Sequence, residues 1–397
     1  MISIDIFPDE VLLDIFDFYV VEAMGYEGDV YSENEMEAWR ALVHVCRRWR
    51  SVVFGSPRRL KLKLVCTTKI PVRDRLDLWP ALPLVIDDDT KNVDNIIGLL
   101  KCSDRINQIS LSGIYLEDIS EAMEVPFPEL TYLVVYHKDV TKLVPPLSDS
   151  FLGGSAPRLR YLSLNRISFP GIPKLLSSAT HLTDLHLERI PHSGYISSEA
   201  MVTCLATLTN VDRLSLGFQS PQSRPDRGSR HPPLPKRTVL PALVSFSFRG
   251  VCEYLENIVA CIDAPRLNFF DTTFFNDIVF DTPQFTKFIS RTPTMEAFDN
   301  ASVVLWDRRA TIELLPKTFR DGELSMVVSC GELDWQFSFL EQVCTSFLPH
   351  LSVLEDLYIT NHRSLRNWGD GIESSSWLEL LSYFDLVFSH ASRCLVN

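Results

Sequence analysis

"PRLRYLSL", residues 157–164, sets a proline two residues ahead of a leucine, with further leucines three and five positions on. From Tyr161 the chain alternates polar and apolar, as a strand with one buried face does. The proline marks the turn that delivers the chain into that strand. The same spacing, apolar-x-x-apolar-x-apolar, returns as "INQISL" (106–111), "LTYLVV" (130–135), "LTDLHL" (182–187), "VDRLSL" (211–216), "LVSFSF" (243–248) and "LEDLYI" (354–359). Weaker copies begin at Leu267, Met295 and Leu324. In a chain that is 46% hydrophobic, about a tenth of all positions meet three apolar requirements by chance, so the triplet alone decides little. The narrower pattern Pro-x-Leu/Met-x-x-Leu/Phe decides more. It occurs at Pro128, Pro157, Pro241, Pro265 and Pro293, against about one occurrence expected at random.

Successive proline patterns are 29, 84, 24 and 28 residues apart, and 84 is three times 28. Helical stretches such as "GIPKLLSSATH" and "YLENIVACID" fall between the copies. One strand and one helix every ~28 residues is the leucine-rich-repeat period. A single such unit cannot bury its own apolar face, and stacking several gives a continuous core with a parallel sheet on the concave side. The expected fold class is therefore α/β, an irregular leucine-rich-repeat solenoid over residues 59–397. An ordinary α/β domain of βα units is the alternative. The irregularity is expected because no asparagine stands three residues past the last apolar position. Ile167, Ile190, Val251 and His362 stand there instead. "GFQSPQSRPDRGSRHPPLPKRTVLP", 217–241, lacks apolar periodicity and reads as a mobile basic, proline-rich insertion. The terminal "WLELLSYFDLVFSHASRCLVN" reads as a helix that stops without a polar capping repeat, which a truncated gene model or missing further repeats would explain.

Residues 1–58 follow different rules. In "FPDEVLLDIFDFYV", Pro8 suits a first helical position, and Asp9 and Glu10 sit where the helix dipole favours anions. Leu12, Phe16 and Tyr19, with Ile15 beside them, give that helix an apolar face. An acidic loop with six acids and no base spans Val21–Glu37. A second helix is expected from Glu37 to Val53, with Leu42, Cys46, Trp49 and Val53 on one stripe. "LKLKLV" (60–65) then alternates as a strand should. Seven Lys/Arg and no acid lie between Arg47 and Lys63, which raises a nucleic-acid reading. The division of that block between a helix and a strand places its charges on their wet faces instead.

"FPDEVLLDIF" followed by "LVHVCRRWRSVV" resembles the F-box, a short helical docking module. Val45, Cys46, Arg47, Trp49 and Arg50 match its second half. Phe7 stands where leucine is usual, and the acidic spacer replaces a tight turn. The resemblance covers about an eighth of the chain, and much of the rest looks like the repeat region of fungal F-box proteins. It implies a substrate receptor: the F-box grips a Skp-family adaptor of a cullin–RING ubiquitin ligase, and the repeats hold an unidentified target protein. Carried onto this sequence, the adaptor-binding residues are Phe7, Pro8, Leu12, Ile15, Phe16, Leu42, Val45, Cys46 and Trp49. Two short helices cannot bury all of that apolar surface between themselves, so a partner or the first repeats must cover part of it. Trp49 either anchors that contact or fills the module's own core. A non-catalytic repeat scaffold without ligase linkage is the rival reading.

In each expected strand the residues between the apolar ones face the opposite side. That assigns Tyr132, Tyr136, Tyr161, His186, Glu188, Arg213, Arg249, Phe269, Asp271 and Tyr358 to a target-binding face. Aromatics mixed with both charge signs suit protein recognition better than phosphate. Other classes find little support. The net charge of −13, with pI near 5.2, disfavours nucleic acid and anionic membrane. No apolar run reaches the ~18 residues of a membrane span, and "MISIDIFPDE" lacks the form of a signal peptide. Nine cysteines without a C-x-x-C pair fit a reducing compartment, cytoplasmic and/or nuclear, and neither a metal site nor a cofactor is expected. The nucleophile-elbow, P-loop, dinucleotide and zinc-protease motifs are absent. Asp87-Asp88-Asp89 reads as a polar loop after a strand.

Overall fold

The computed structural model describes residues 7–24, 38–66, 76–77, 79–88, 93–112, 119–138, 146–223, 237–275, 282–295, 298–316, 322–330, 333–346, 354–362 and 393–396. Two compact units divide the chain, Met1–Lys142 with Ser150–Arg158, and Leu143–Asp149 with Leu159–Asn397.

The first unit opens with helix α1, Asp9–Met24, which buries Leu12, Leu13, Phe16 and Val20. Where the sequence predicts one helix over 37–53 there are two, α2 (Trp39–Val43) and α3 (Arg47–Gly55). The chain leaves the helical region at Cys46 (φ −157°, ψ 171°), whose Sγ accepts the Trp49 N–H at 3.4 Å and caps α3. A thiol is not among the usual capping groups, so nothing in the sequence signals the break. Trp39 is fully buried, edge-on to Trp79 (ring centroids 5.2 Å) and Phe54 (5.9 Å), and its Nε1 donates to Lys63 O at 3.0 Å.

"LKLKLV" becomes strand only at its end. Lys61 takes a positive φ of 48°, and the Leu62 N–H turns back to Pro57 O at 2.9 Å. Leu60 and Leu62 are nonetheless buried, so the alternation reports burial without a ladder. Strand β1 is Leu64–Cys66, followed by β2 (Leu84–Asp88), α4 (Val93–Leu100), β3 (Ile106–Ser112) and β4 (Tyr132–Tyr136). These four strands are parallel, in the order β1-β2-β3-β4. Asp87 and Asp88 belong to β2 rather than to a loop after it.

In the second unit, β5 (Tyr161–Asn165), α5 (Ile172–Ser178), β6 (Asp184–Ile190), α6 (Ser198–Leu205) and β7 (Arg213–Phe218) follow the expected alternation. Then come β8 (Thr238–Val239), β9 (Ser245–Gly250), α7 (Cys252–Cys261), β10 (Ile262–Asp263), β11 (Phe269–Phe275) and α8 (Pro283–Arg291). The last elements are β12 (Asn300–Trp306), β13 (Arg309–Leu315), β14 (Glu323–Ser329), α9 (Leu333–Ser346), β15 (Asp356–Asn361) and β16 (Arg393–Val396). The sheet order is β5-β6-β7-β9-β11-β14-β13-β12-β15-β16, and β8 pairs with β10 apart from it. All neighbours run parallel except β13, which is antiparallel to both β14 and β12. The chain is thus mixed α/β with a mostly parallel sheet, and the described strands form no closed barrel.

The crossover strands register through a repeated backbone contact at each strand start. The Thr183 and Asp184 N–H groups both donate to Arg160 O, Asp212 and Arg213 to Thr183 O, Val244 and Ser245 to Asp212 O, and Asn268 and Phe269 to Val244 O, all at 2.7–3.1 Å. These bonds satisfy backbone groups at the strand starts. Helices cover the apolar face. Phe270 meets Phe285 and Phe288 of α8 (5.3 and 5.8 Å), and Tyr254 of α7 packs on Phe218 at 4.7 Å.

Three expectations are corrected here. The β12–β13 hairpin interrupts the parallel run, so the copy at Met295 ends in a single turn with its strand starting only at Asn300. Leu324 falls inside β14 rather than ahead of it. The turn, Asp307-Arg308, carries no glycine or asparagine to announce it. Residues 393–396, read as the end of a helix, form β16 beside β15. The insertion is bounded by structure at both ends, by β7 with its following turn and by β8, and residues 224–236 at its centre lie outside the described ones, as does most of the acidic loop and of the terminal helix. Among the described residues no helix is long and apolar enough to cross a membrane.

Candidate functional site

Two surfaces carry the residues singled out from sequence. The first is α1. Leu12 and Phe16 of α1, with Leu42 of α2, are buried and form the module's interior, with Phe16 against Trp49 (4.7 Å). That corrects their assignment to a docking face. Cys46 and Trp49 are half-buried, and Pro8 is exposed. Phe7 and Ile15 (42% exposed) instead join Val11 and Phe18 (69%), which the sequence reading passed over. Spacings of four and three place Val11, Ile15 and Phe18 on one outward stripe of α1, turned away from the buried one, and Phe7 stands exposed two residues before the helix begins. Tyr19, expected inside, lies at the edge of this stripe, and Val45 is exposed nearby in the chain's α2–α3 turn. A helix apolar on nearly all sides is one that is covered from more than one direction.

The basic block is engaged within its own unit. Arg48 forms an ion pair with Asp9 (2.8 Å) and donates to Phe7 O (2.5 Å), Arg59 pairs with Asp14, and Arg50 donates to Val43 O (3.0 Å). Burial, with Lys61 beside it, lowers the Lys63 ammonium pKa.

The second surface is the polar face of the second unit's sheet. Strand pairing aligns Tyr161, Asp184, Arg213, Ser245, Phe269 and Glu323 in one row. The next row is Ser163, His186, Ser215, Ser247, Asp271, Ser325, Glu313, Ser302 and Tyr358. A third begins with Asn165 and Glu188 and includes Arg249 across from Gly217. Eight of the ten residues named from sequence thus share one face. Tyr132 and Tyr136 stand on β4 of the first unit, aligned with Gln108 and Ser112.

Many of these side chains hold one another. Asp184 is buried, accepts from Arg213 and from Thr183 Oγ1 (2.7 Å), and its bond raises the Arg213 guanidinium pKa further. Asn165 Nδ2 donates to Glu188 at 2.9 Å, and the Tyr161 ring lies 5.3 Å from His186. Burial pushes the His186 imidazole below its ordinary pKa, outweighing the nearby charges of Asp184 and Glu188 that raise it.

Comparison with protein-family models, with curated proteins and with solved structures found no match. An apolar void between Leu164, Ile167, Phe169 and Leu187 holds about 10 Å³, far below the roughly 300 Å³ of a small-ligand pocket. Among the described residues no group of three His, Cys, Asp or Glu side chains is placed to hold a metal. The sequence reading missed Asp184, Glu313 and Glu323 on the polar face. Asp184 holds the same place in its copy as Tyr161 and Arg213, so the repeat pattern could have found it, whereas Glu313 was missed because its strand was not foreseen.

Proposed function

We propose that this chain is a substrate-recognition subunit of a Skp–cullin–F-box ubiquitin ligase. Its helical module docks a Skp-family adaptor, and its leucine-rich-repeat-like solenoid holds the target protein. The carrying observation is the outward stripe Val11, Ile15 and Phe18 of α1, with Phe7 exposed just ahead of it, within a segment that resembles an F-box. Large exposed apolar side chains in a continuous row cost free energy in water and gain it against a partner. Leu12, Phe16, Leu42 and Trp49 set the stripe's angle from inside. The ubiquitin chemistry belongs to the partner enzymes, and the chain acts in the cytoplasm or nucleus.

Co-purification with a Skp-family adaptor tests this reading. An equimolar complex is expected on size exclusion. Val11→Asp with Ile15→Asp and Phe18→Asp should abolish it, since interface hot spots each contribute about 2 kcal/mol or more. The circular dichroism of the variant should stay native, because the three side chains are exposed. A complex that survives the triple substitution overturns the proposal. Absence of any complex leaves the second reading, a repeat scaffold that binds proteins without ligase linkage.

A further inference from the structure

We infer that the β11–β14–β13–β12–β15 part of the polar sheet face docks a basic, arginine- or lysine-rich segment of the target protein. This rests on the reading that the sheet face holds the target. Asp271, Ser325, Glu313, Ser302 and Tyr358 lie side by side across five strands, with Glu323 beside Phe269 in the adjoining row. Strands are spaced about 4.8 Å apart, so acid, serine and acid repeat over roughly 10 Å, and each serine leaves a recess between longer side chains. Two exposed aromatics, Phe269 (52%) and Tyr358 (41%), flank the carboxylates about four strands apart.

Among the described residues no basic group pairs with the carboxylates of this patch. Asp271, Glu313 and Glu323 have no ion-pair partner among the described residues, and Asp271 has only the Ser247 hydroxyl at 3.4 Å. Arg249 and Arg309, on neighbouring parts of the sheet, lie over the Phe275 and Trp306 rings (5.7 and 4.8 Å). Burial, and after it the like charges of Glu323 and Asp271, raises the Glu313 pKa. A cationic side chain entering over Ser325 would meet carboxylates from both sides, and a guanidinium could also lie on either flanking ring. The patch spans five strands, too long for a single small cation. The chain's net charge of −13 steers basic partners towards it and polyanions away.

Fluorescence anisotropy of a labelled peptide of alternating arginine and serine, titrated with the full chain, tests the inference. The peptide should bind, and Asp271→Asn with Glu313→Gln and Glu323→Gln should weaken it about tenfold or more. Phe269→Ala with Tyr358→Ala should weaken it several-fold with every charge in place. A matched neutralisation in the first unit, Asp94→Asn with Glu121→Gln and Glu124→Gln, should leave binding unchanged. Equal loss in that control means general charge attraction and overturns the inference, as does failure of the peptide to bind. Adaptor complex formation is measured on the same proteins. Peptide binding without an adaptor complex supports this surface while sinking the ligase reading, and an adaptor complex without peptide binding sinks this surface alone.

Discussion

Trp39 and Trp49 stand ten residues apart and do different work. Trp49 packs half-buried on Phe16, whereas Trp39 is enclosed by Phe54 and Trp79 and donates its only polar hydrogen to Lys63 O. Truncating a buried tryptophan removes its transfer free energy and leaves a cavity. Trp39→Ala should therefore cost about 3–5 kcal/mol in urea unfolding. Trp39→Phe should lose less, but leaves the Lys63 carbonyl without its donor, about 1–3 kcal/mol. Phe18→Ala, at an exposed site, should shift stability by no more than about 0.5 kcal/mol. Equal costs for Trp39→Ala and Phe18→Ala would show the aromatic cluster to be wrong. Only one of the two tryptophans was legible in the sequence. Trp49 sits within a matching motif, while Trp39 owes its burial to Trp79, forty residues on, and no local pattern reports such a contact.

Among elements, α7 and α8 cap one another. The Glu256 carboxylate of α7 accepts the Gln284 and Phe285 N–H groups at the start of α8 (2.9 and 2.7 Å). In return Arg291 of α8 donates to Val259 O and Ile262 O at the end of α7 and to Asp263 (2.8–3.2 Å). Thr282, the residue preceding α8, makes no side-chain cap, so Glu256 supplies what the local sequence lacks. Glu256→Ala should cost about 1–2 kcal/mol, the range for losing a helix cap, and Glu256→Gln should retain part of it. Arg291→Ala should cost a comparable amount. Hydrogen exchange should then rise first in α7 and α8, and uniform protection across the unit would rule the mutual capping out. The same long-range logic divides what sequence could show. Strands β5, β6, β7, β9 and β11 follow a local pattern and were legible in place and facing, whereas β8 fell in the stretch read as a mobile insertion and β10 at the end of one read as helical. The β12–β13 hairpin was not, because its turn lacks a diagnostic residue, although Ala301, Val303 and Leu305 alternate like Ala310, Ile312 and Leu314.

For the whole molecule, the basic run from Arg47 to Lys63 poses the sharpest question, since a net charge of −13 does not preclude a local nucleic-acid patch. Internal contacts weigh against such a patch. Arg48 and Arg59 are paired with acids of α1, Arg50 serves a backbone carbonyl, and Lys63 is partly buried. Arg47, Arg58 and Lys61 are exposed and make no such contact among the described residues. Three phosphate contacts give a salt slope of at most about −2.7, and the surrounding acidic charge opposes even that. The full chain should therefore show no measurable affinity for duplex DNA or single-stranded RNA at physiological salt. Arg48→Ala and Arg59→Ala should lower thermal stability slightly, by up to about 1 kcal/mol each for exposed ion pairs, and leave nucleic-acid binding undetectable. Electrophoretic mobility shift over a salt series checks this directly. Salt-sensitive binding abolished by neutralising Arg47, Arg58 and Lys61 would return the segment to nucleic-acid recognition and remove the argument that its charges serve the fold of the docking module.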